Sequence, residues 1–249
     1  FPEEDWLLVT HHQSHLPLLR GPRRAGREAV NLRLTISLTP PLCAMLRDEL
    51  LQERYLRYLE RLIALSAHEV ERNRQHAQLG ELAQFYLRFF TEARAFYEET
   101  LGRDVVRAFR ELQDAGLIEI IASAATHGFL PALQNFPEAQ RAQIRIGCDS
   151  YRETFGREPS GFWLPECGYS AGLDALLQEA NIRWFVVDTH GLMFAQPRPR
   201  FAFFAPCYTL AGPAVFARDR EASGDVLSAE SRYPGDPAYR DFYRVLGYD

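Results

Sequence analysis

A chain of 249 residues, 47% hydrophobic and 24% charged, has the balance of an ordinary folded protein with room for one sizeable core. Its formal net charge of −5 gives no general attraction to phosphate backbones or anionic lipid, so nucleic acid and membranes are set aside as partners, while a neutral polysaccharide stays compatible. Cys43, Cys148, Cys167 and Cys207 form no C-x-x-C pair, which predicts a reducing, cytoplasmic setting without cysteine-held zinc.

The opening Phe1-Pro-Glu-Glu-Asp5 is acidic where a signal peptide is basic and has no methionine, so the chain is expected to begin inside a longer gene product. After the apolar run Trp6-Leu-Leu-Val9, the stretch from Val9 to Ala29 shows no clear periodicity. It mixes Gly21, Pro22 and Gly26 with clustered arginines and reads as a solvated basic loop. Residues 32–38 alternate and stop at Thr39-Pro-Pro41, which predicts a strand. From Leu42 to Gly116 apolar residues recur three and four apart, as in Leu56, Leu59 and Leu62. This predicts a block of consecutive helices, with Gly102 and Gly116 at helix ends.

Strand and helix then alternate: a strand over 117–122, a helix over 138–155, a strand over 161–164, a helix over 172–180 and a strand over 184–187. Shorter strands are expected over 201–210, 214–217 and 225–229. This order predicts an α/β fold, a barrel or a doubly wound sheet, in one domain spanning 1–249 with a helical insertion at 42–116.

The strongest chemical signal is Gly161-Phe-Trp-Leu-Pro-Glu-Cys-Gly-Tyr169, where an apolar strand ends at Pro165 and a carboxylate follows directly. In an α/β barrel the C-terminal ends of the strands form the catalytic face. Glycosidic cleavage uses one carboxylate against the anomeric carbon and one carboxylic acid for the leaving oxygen. Glu166 suits the first role. Trp163 and Tyr169 offer aromatic faces for sugar rings, or ordinary core packing, and Asp188, ending a strand on the same face, is the second carboxylate candidate.

Residues 161–190 resemble the nucleophile motif, and the helix and strand after it, of the glycoside hydrolase family 57 α-glucan branching enzymes. Residues 1–7, 32–42, 116–131 and 233–249 agree with the same family in order and spacing. The resemblance implies a distorted (β/α)7 barrel and a retaining mechanism without cofactor or metal. An α-1,4-glucan would be cleaved, held covalently on Glu166 and transferred to a 6-hydroxyl, as in glycogen biosynthesis. His127 and Glu119 fall on a second motif, and Arg218 and Gly235 on positions that bind glucan, Arg218 being equally readable as a surface ion pair. The family's acid/base aspartate lies beyond the equivalent of Asp249, and its opening H-x-H-L-P strand precedes residue 1, so both ends are expected to be cut. Leu227 and Arg232 stand where the family has Trp and Gly.

In the family a helix fills the place of residues 9–29. The abrupt change between matching flanks there raises the expectation of a compensated frameshift. Two rival readings remain: a noncatalytic glucan-binding remnant of the same fold, and a metal-dependent polysaccharide deacetylase using His11 and His15. The i, i+4 spacing of those two can bring imidazoles to one metal, although Pro17 limits the helix it needs and no third ligand is evident.

Overall fold

The computed structural model describes residues 2–28, 30, 31 and 33–228. These form two compact units, one holding the described residues up to Ile121 together with Ser150–Arg157, the other Ala122–Asp149 and the described residues from Glu158 onward.

In the first unit the expected loop at 9–29 is helical as far as Arg27. Helix α1 (Pro2–Thr10) runs through a π-helical turn (His11–His15) into α2 (Leu16–Arg27). Leu8, His11, His12, His15, Leu16, Leu19 and Pro22 are its buried positions, a three-and-four spacing that aligns them along one stripe. Pro17 directly follows the π-helical turn at the start of α2, and Pro22 lies inside that helix. Gly26 lets Leu117 approach, since a Cβ there would lie 3.2 Å from the leucine Cδ1.

Strand β1 (Leu34–Ser37) stops where Thr39 caps α3 (Pro40–Arg47), its side chain accepting from the Leu42 amide. Asp48 and Asp104 cap α4 (Glu49–Arg72) and α6 (Val105–Asp114) in the same way, each satisfying an amide that the helix leaves unpaired. Between them lies α5 (Ala77–Ala95), extended by a π-helical turn (Phe96–Thr100). The helical block is therefore as the sequence predicts. Gly102 and Gly116 both adopt positive φ, at 57° and 70°, the left-handed conformation that suits chain reversal after a helix.

Strand β2 (Ile118–Ser123) starts in the first unit, where Leu34–Ser37 of β1 pair parallel with Ile118–Ile121. Its last two residues belong to the second unit, where the strand order is β2, β3 (Gly161–Trp163), β4 (Trp184–Asp188), β6 (Ala214–Arg218) and β5 (Cys207–Tyr208), all parallel except β5. Helices α7 (Pro137–Phe155) and α8 (Leu173–Glu179) supply the crossovers expected between parallel strands. Phe162, Leu164, Leu177 and Phe185 are fully buried. The expected α/β class holds, with parallel strands alternating with helices. Two short strands need correction. Of residues 201–210 only Cys207–Tyr208 are strand, and 225–227 belong to helix α10 (Arg220–Leu227), because Asp219 accepts from the Ala222 amide and starts a helix there. A further short helix, α9 (Thr189–Met193), was not expected.

No helix among the described residues is long and apolar enough to cross a membrane.

Candidate active site

Four strands of the second unit end in residues that carry side-chain chemistry: Ser123 on β2, Trp163 on β3, Asp188 on β4 and Arg218 on β6. Parallel neighbours end on the same side, so alternation of strand and helix brings residues far apart in sequence to one edge. The register pairs Ser123 with Trp163 and Asp188 with Arg218.

Glu166 lies just past β3 in a tight turn closed by Cys167 N–H to Leu164 O (2.8 Å) and Gly168 N–H to Pro165 O (3.0 Å). Its backbone is left-handed (φ 55°, ψ 23°), and Cys167 follows at φ 54°. Side chains other than glycine pay roughly 1–3 kcal/mol for such a conformation, and here two consecutive residues adopt it. The result is an exposed Glu166 beside a buried Cys167. Burial raises the Cys167 thiol above its ordinary range; the Arg218 charge opposes this, while Asp188 and Glu166 add to it. The thiol therefore lies within the fields of Glu166, Asp188 and Arg218.

Asp188 is tightly engaged. Its Oδ1 accepts from the Thr189 amide (2.6 Å), capping α9, and its Oδ2 accepts from Arg218 Nη2 (3.0 Å). Partial burial works against the charged form, but the Thr189 amide and the Arg218 guanidinium outweigh it and hold the carboxyl below its ordinary range. Asp188 is thus an ionised partner rather than a proton donor near neutral pH. The ion pair read as the plain alternative for Arg218 is present, but at a strand end facing Asp188. The Thr189 hydroxyl donates to the Arg218 carbonyl, and the buried Arg218 Nε–H has no partner among the described residues.

His127 occupies the loop after β2, again with left-handed backbone (φ 57°), its N–H donating to Ala124 O at 3.1 Å. Its Nδ1 lies 3.2 Å from Ser123 Oγ, which also donates to the Trp163 carbonyl at 2.9 Å. The His127 and Glu166 loops meet where the Phe129 ring lies over Gly168, so closely that a Cβ on Gly168 would stand 2.2 Å from the ring. Trp163 is half-buried. Tyr169 gives one ring face to Phe185 (centroids 5.8 Å apart, 11° between planes) and donates its hydroxyl to Asp174; burial and that carboxylate push the hydroxyl up to about 12.

The structure therefore gathers Glu166, Asp188, Arg218, Trp163 and His127 in one unit. Glu119 sits mid-strand and exposed on β2, paired in register with Thr35, away from that strand end. Gly235 lies outside the described residues, as does Arg232. Ser123 went unnoticed in the sequence. A serine closing the apolar run Ile118–Ala122 was the available signal, but its meaning depends on pairing with Trp163, 40 residues on.

His11 and His15, the deacetylase ligand candidates, are buried in the first unit, with their Nδ1 atoms hydrogen-bonded to each other at 2.9 Å and the His11 ring packed edge-on to Tyr55. The helix that their spacing needs does form. What it produces is a neutral core pair, and no group of three or more His, Cys, Asp or Glu among the described residues is arranged to hold a metal.

The sequence model of glycosyl hydrolase family 57 matches residues 9–244. A 1,4-α-glucan branching enzyme of Thermococcus kodakarensis is 31% identical over 97% of this chain, and the match covers 39% of that enzyme. Among solved structures, the α-amylase AmyC of Thermotoga maritima superimposes with a TM-score of 0.89 at 40% identity, over 98% of this chain and 46% of its own. A family 57-type branching enzyme of Pyrococcus horikoshii gives 0.85 at 33%, over 98% and 48%. The chain spans less than half the length of each of these relatives. With the family model matched across nearly its whole length, the chain belongs to glycosyl hydrolase family 57.

Proposed function

We propose that this chain carries the nucleophile side of an α-glucan-processing site, with Glu166 attacking the anomeric carbon in a retaining transglycosylation that builds α-1,6 branches during cytoplasmic glycogen synthesis. The observation that carries the reading is the paired left-handed backbone at Glu166 and Cys167, which leaves a carboxylate exposed at the end of a parallel strand. Such strain persists only when the surrounding structure over-determines it, and it clusters at functional sites.

In that reading the Glu166 carboxylate forms a bond to the anomeric carbon while the bond to the departing glucan oxygen breaks. A sugar hydroxyl then displaces Glu166 and restores the original configuration. Arg218 and Asp188, locked as an ion pair, hold fixed charges beside the reacting ring. Trp163 and His127 contact the glucan. Asp188 stays ionised, so the acid that protonates the leaving oxygen comes from elsewhere, in keeping with a family aspartate beyond the equivalent of Asp249. Whether water or a hydroxyl accepts the glycosyl group rests on how the closed site excludes water. The named relatives include both an amylase and branching enzymes.

The test is an amylose assay on the 249-residue chain and on the full-length gene product, following iodine absorbance, reducing ends and new α-1,6 linkages together. New branches from the full-length protein, abolished by several orders of magnitude in Glu166→Gln with an unchanged melting temperature, support the reading. Near-normal turnover in Glu166→Gln rejects the nucleophile. Glucan binding with no turnover in the full-length protein replaces the enzyme with a binding protein.

A further inference from the structure

We infer that Ser123 is a positioning residue that fixes His127 as the Nδ1–H tautomer and so presents the ring's Nε2 as a hydrogen-bond acceptor for a sugar hydroxyl. The part that concerns sugar rests on the glucan reading above; the tautomer does not.

The argument is a count of hydrogens. A serine hydroxyl has one hydrogen and two lone pairs, whereas a backbone carbonyl only accepts. The contact from Ser123 Oγ to the Trp163 carbonyl, at 2.9 Å, therefore commits the hydroxyl hydrogen to that carbonyl. At the 3.2 Å contact with His127 Nδ1 the serine oxygen has only lone pairs left to offer, so the ring nitrogen must be the donor. In a neutral imidazole one nitrogen carries the hydrogen and the other accepts. Nε2 is then an acceptor, and no described residue bonds to it. Without such a partner, histidine favours the opposite tautomer, with the hydrogen on Nε2.

Ser123 is well placed to impose this. It is fully buried, and its carbonyl is pressed by α7 so closely that a Cβ on Gly147 would stand 2.1 Å from it. It pairs with Trp163 at the last rung of the β2–β3 ladder. One hydroxyl thus ties the strand leading to His127 to the strand leading to Glu166. An acceptor at Nε2 would take a hydroxyl hydrogen from the sugar, and a donor there would instead meet the lone pairs of that oxygen. The tautomer therefore decides which sugar oxygen, in which rotamer, the site accepts.

The experiment is ¹⁵N-histidine NMR on the 249-residue protein without sugar, at a pH where imidazole is neutral, with the His127 signals assigned by their loss in His127→Gln. The same spectra are taken for Ser123→Ala and Ser123→Thr, alongside maltooligosaccharide titrations of all three proteins. The inference expects a protonated Nδ1 and unprotonated Nε2 in the unsubstituted protein, reversal in Ser123→Ala and retention in Ser123→Thr. Sugar affinity should fall about tenfold in Ser123→Ala, the order expected for one lost hydrogen bond, and recover in Ser123→Thr. A protonated Nε2 in the unsubstituted protein, or a tautomer indifferent to Ser123→Ala, overturns it. So does a tautomer that reverses while sugar affinity stays the same. Failure of the unsubstituted protein to bind any maltooligosaccharide counts against the glucan reading and the sugar-accepting role, while the spectra still decide the tautomer.

Discussion

The buried histidines of the first unit make acid lability a quantitative prediction. Burial, aided by the neighbouring charges of His15 and His12, lowers the His11 pKa from 6.5 to about 3, and burial lowers that of His15 to about 4. Among the described residues the rings packed around the first two histidines are aromatic: those of Tyr55 and Tyr97 face His11, and those of Tyr55, Tyr58, Phe89 and Phe90 face His12. The unfolded chain takes up protons below pH 6.5 that the folded chain refuses, so stability is full above 6.5 and falls as pH drops, levelling only near the folded values. Integrated from pH 7 to pH 5, each of these two histidines removes roughly 2 kcal/mol, and the pair about 4 kcal/mol, a large share of a typical domain's stability. Asp188, whose carboxyl is already ionised there, titrates below this window. Urea unfolding of the protein and of the double variant His11→Leu/His15→Leu at pH 5 and pH 7 measures the difference directly. The variant should keep most of its pH 7 stability, since removing both partners of a buried hydrogen bond leaves neither unsatisfied, and it should lose about 4 kcal/mol less on acidification. Parallel losses in the two proteins would refute the reasoning.

Three further outcomes are expected. Gly147→Ala places a methyl 2.1 Å from the Ser123 carbonyl, where backbone must move; overpacking of this kind costs about 1–3 kcal/mol and should lower the melting temperature by several degrees in a calorimetric scan. Arg218→Met leaves Asp188 its Thr189 bond but removes the guanidinium, so the carboxyl should titrate nearer its ordinary range by NMR, while stability changes by about 1 kcal/mol or less because the pair is partly exposed. Iodoacetamide in the native state should modify Cys207, which is only half-buried, before the buried Cys43, Cys148 and Cys167. Burial raises the Cys43 thiol to about 11 and also raises Cys167, suppressing the reactive thiolate, and peptide mass spectrometry gives the order.

Most of the fold was legible because its signals are local. Residues 161–163 and 184–188 are short apolar runs with helices between them, and α7 shows its period over 19 residues. The segment 9–29 failed for a specific reason. Three of its six buried positions are histidines, which count as polar when periodicity is read, although here they pack as neutral aromatic rings. Gly21 and Pro22 completed the appearance of a loop, yet Leu16 and Leu19 are fully buried, and that burial outweighs the low helix propensity around them. Residues 225–227 failed the other way: one apolar pair, Val226-Leu227, looked like strand, and the Asp219 cap that starts the helix lies six residues before it. At the site, Glu166 was legible because Pro165 stops the strand in front of it. Asp188 was legible as a carboxylate but not as a cap and ion-pair partner, since Thr189 and Arg218 reach it only through the folded register.

The left-handed positions explain why the site depends on the fold around it. Glycine would adopt φ near 55° at 127, 166 and 167 without strain, but it would carry no imidazole, carboxylate or buried thiol. The chain instead keeps larger side chains there and opposes the strain with contacts: Ala124 and Ser123 hold His127, the Leu164 and Pro165 carbonyls close the turn around Glu166, and Cys167 is buried. Substitution of Cys167 by serine would put a more polar hydroxyl in the buried place of the thiol, which is costly unless it finds a hydrogen-bond partner. It would thereby weaken one of the contacts that keep Glu166 turned outward. Strain at Glu166 and packing of its neighbours are thus one physical arrangement, and a change in either is expected to appear in stability and, under the proposed function, in turnover.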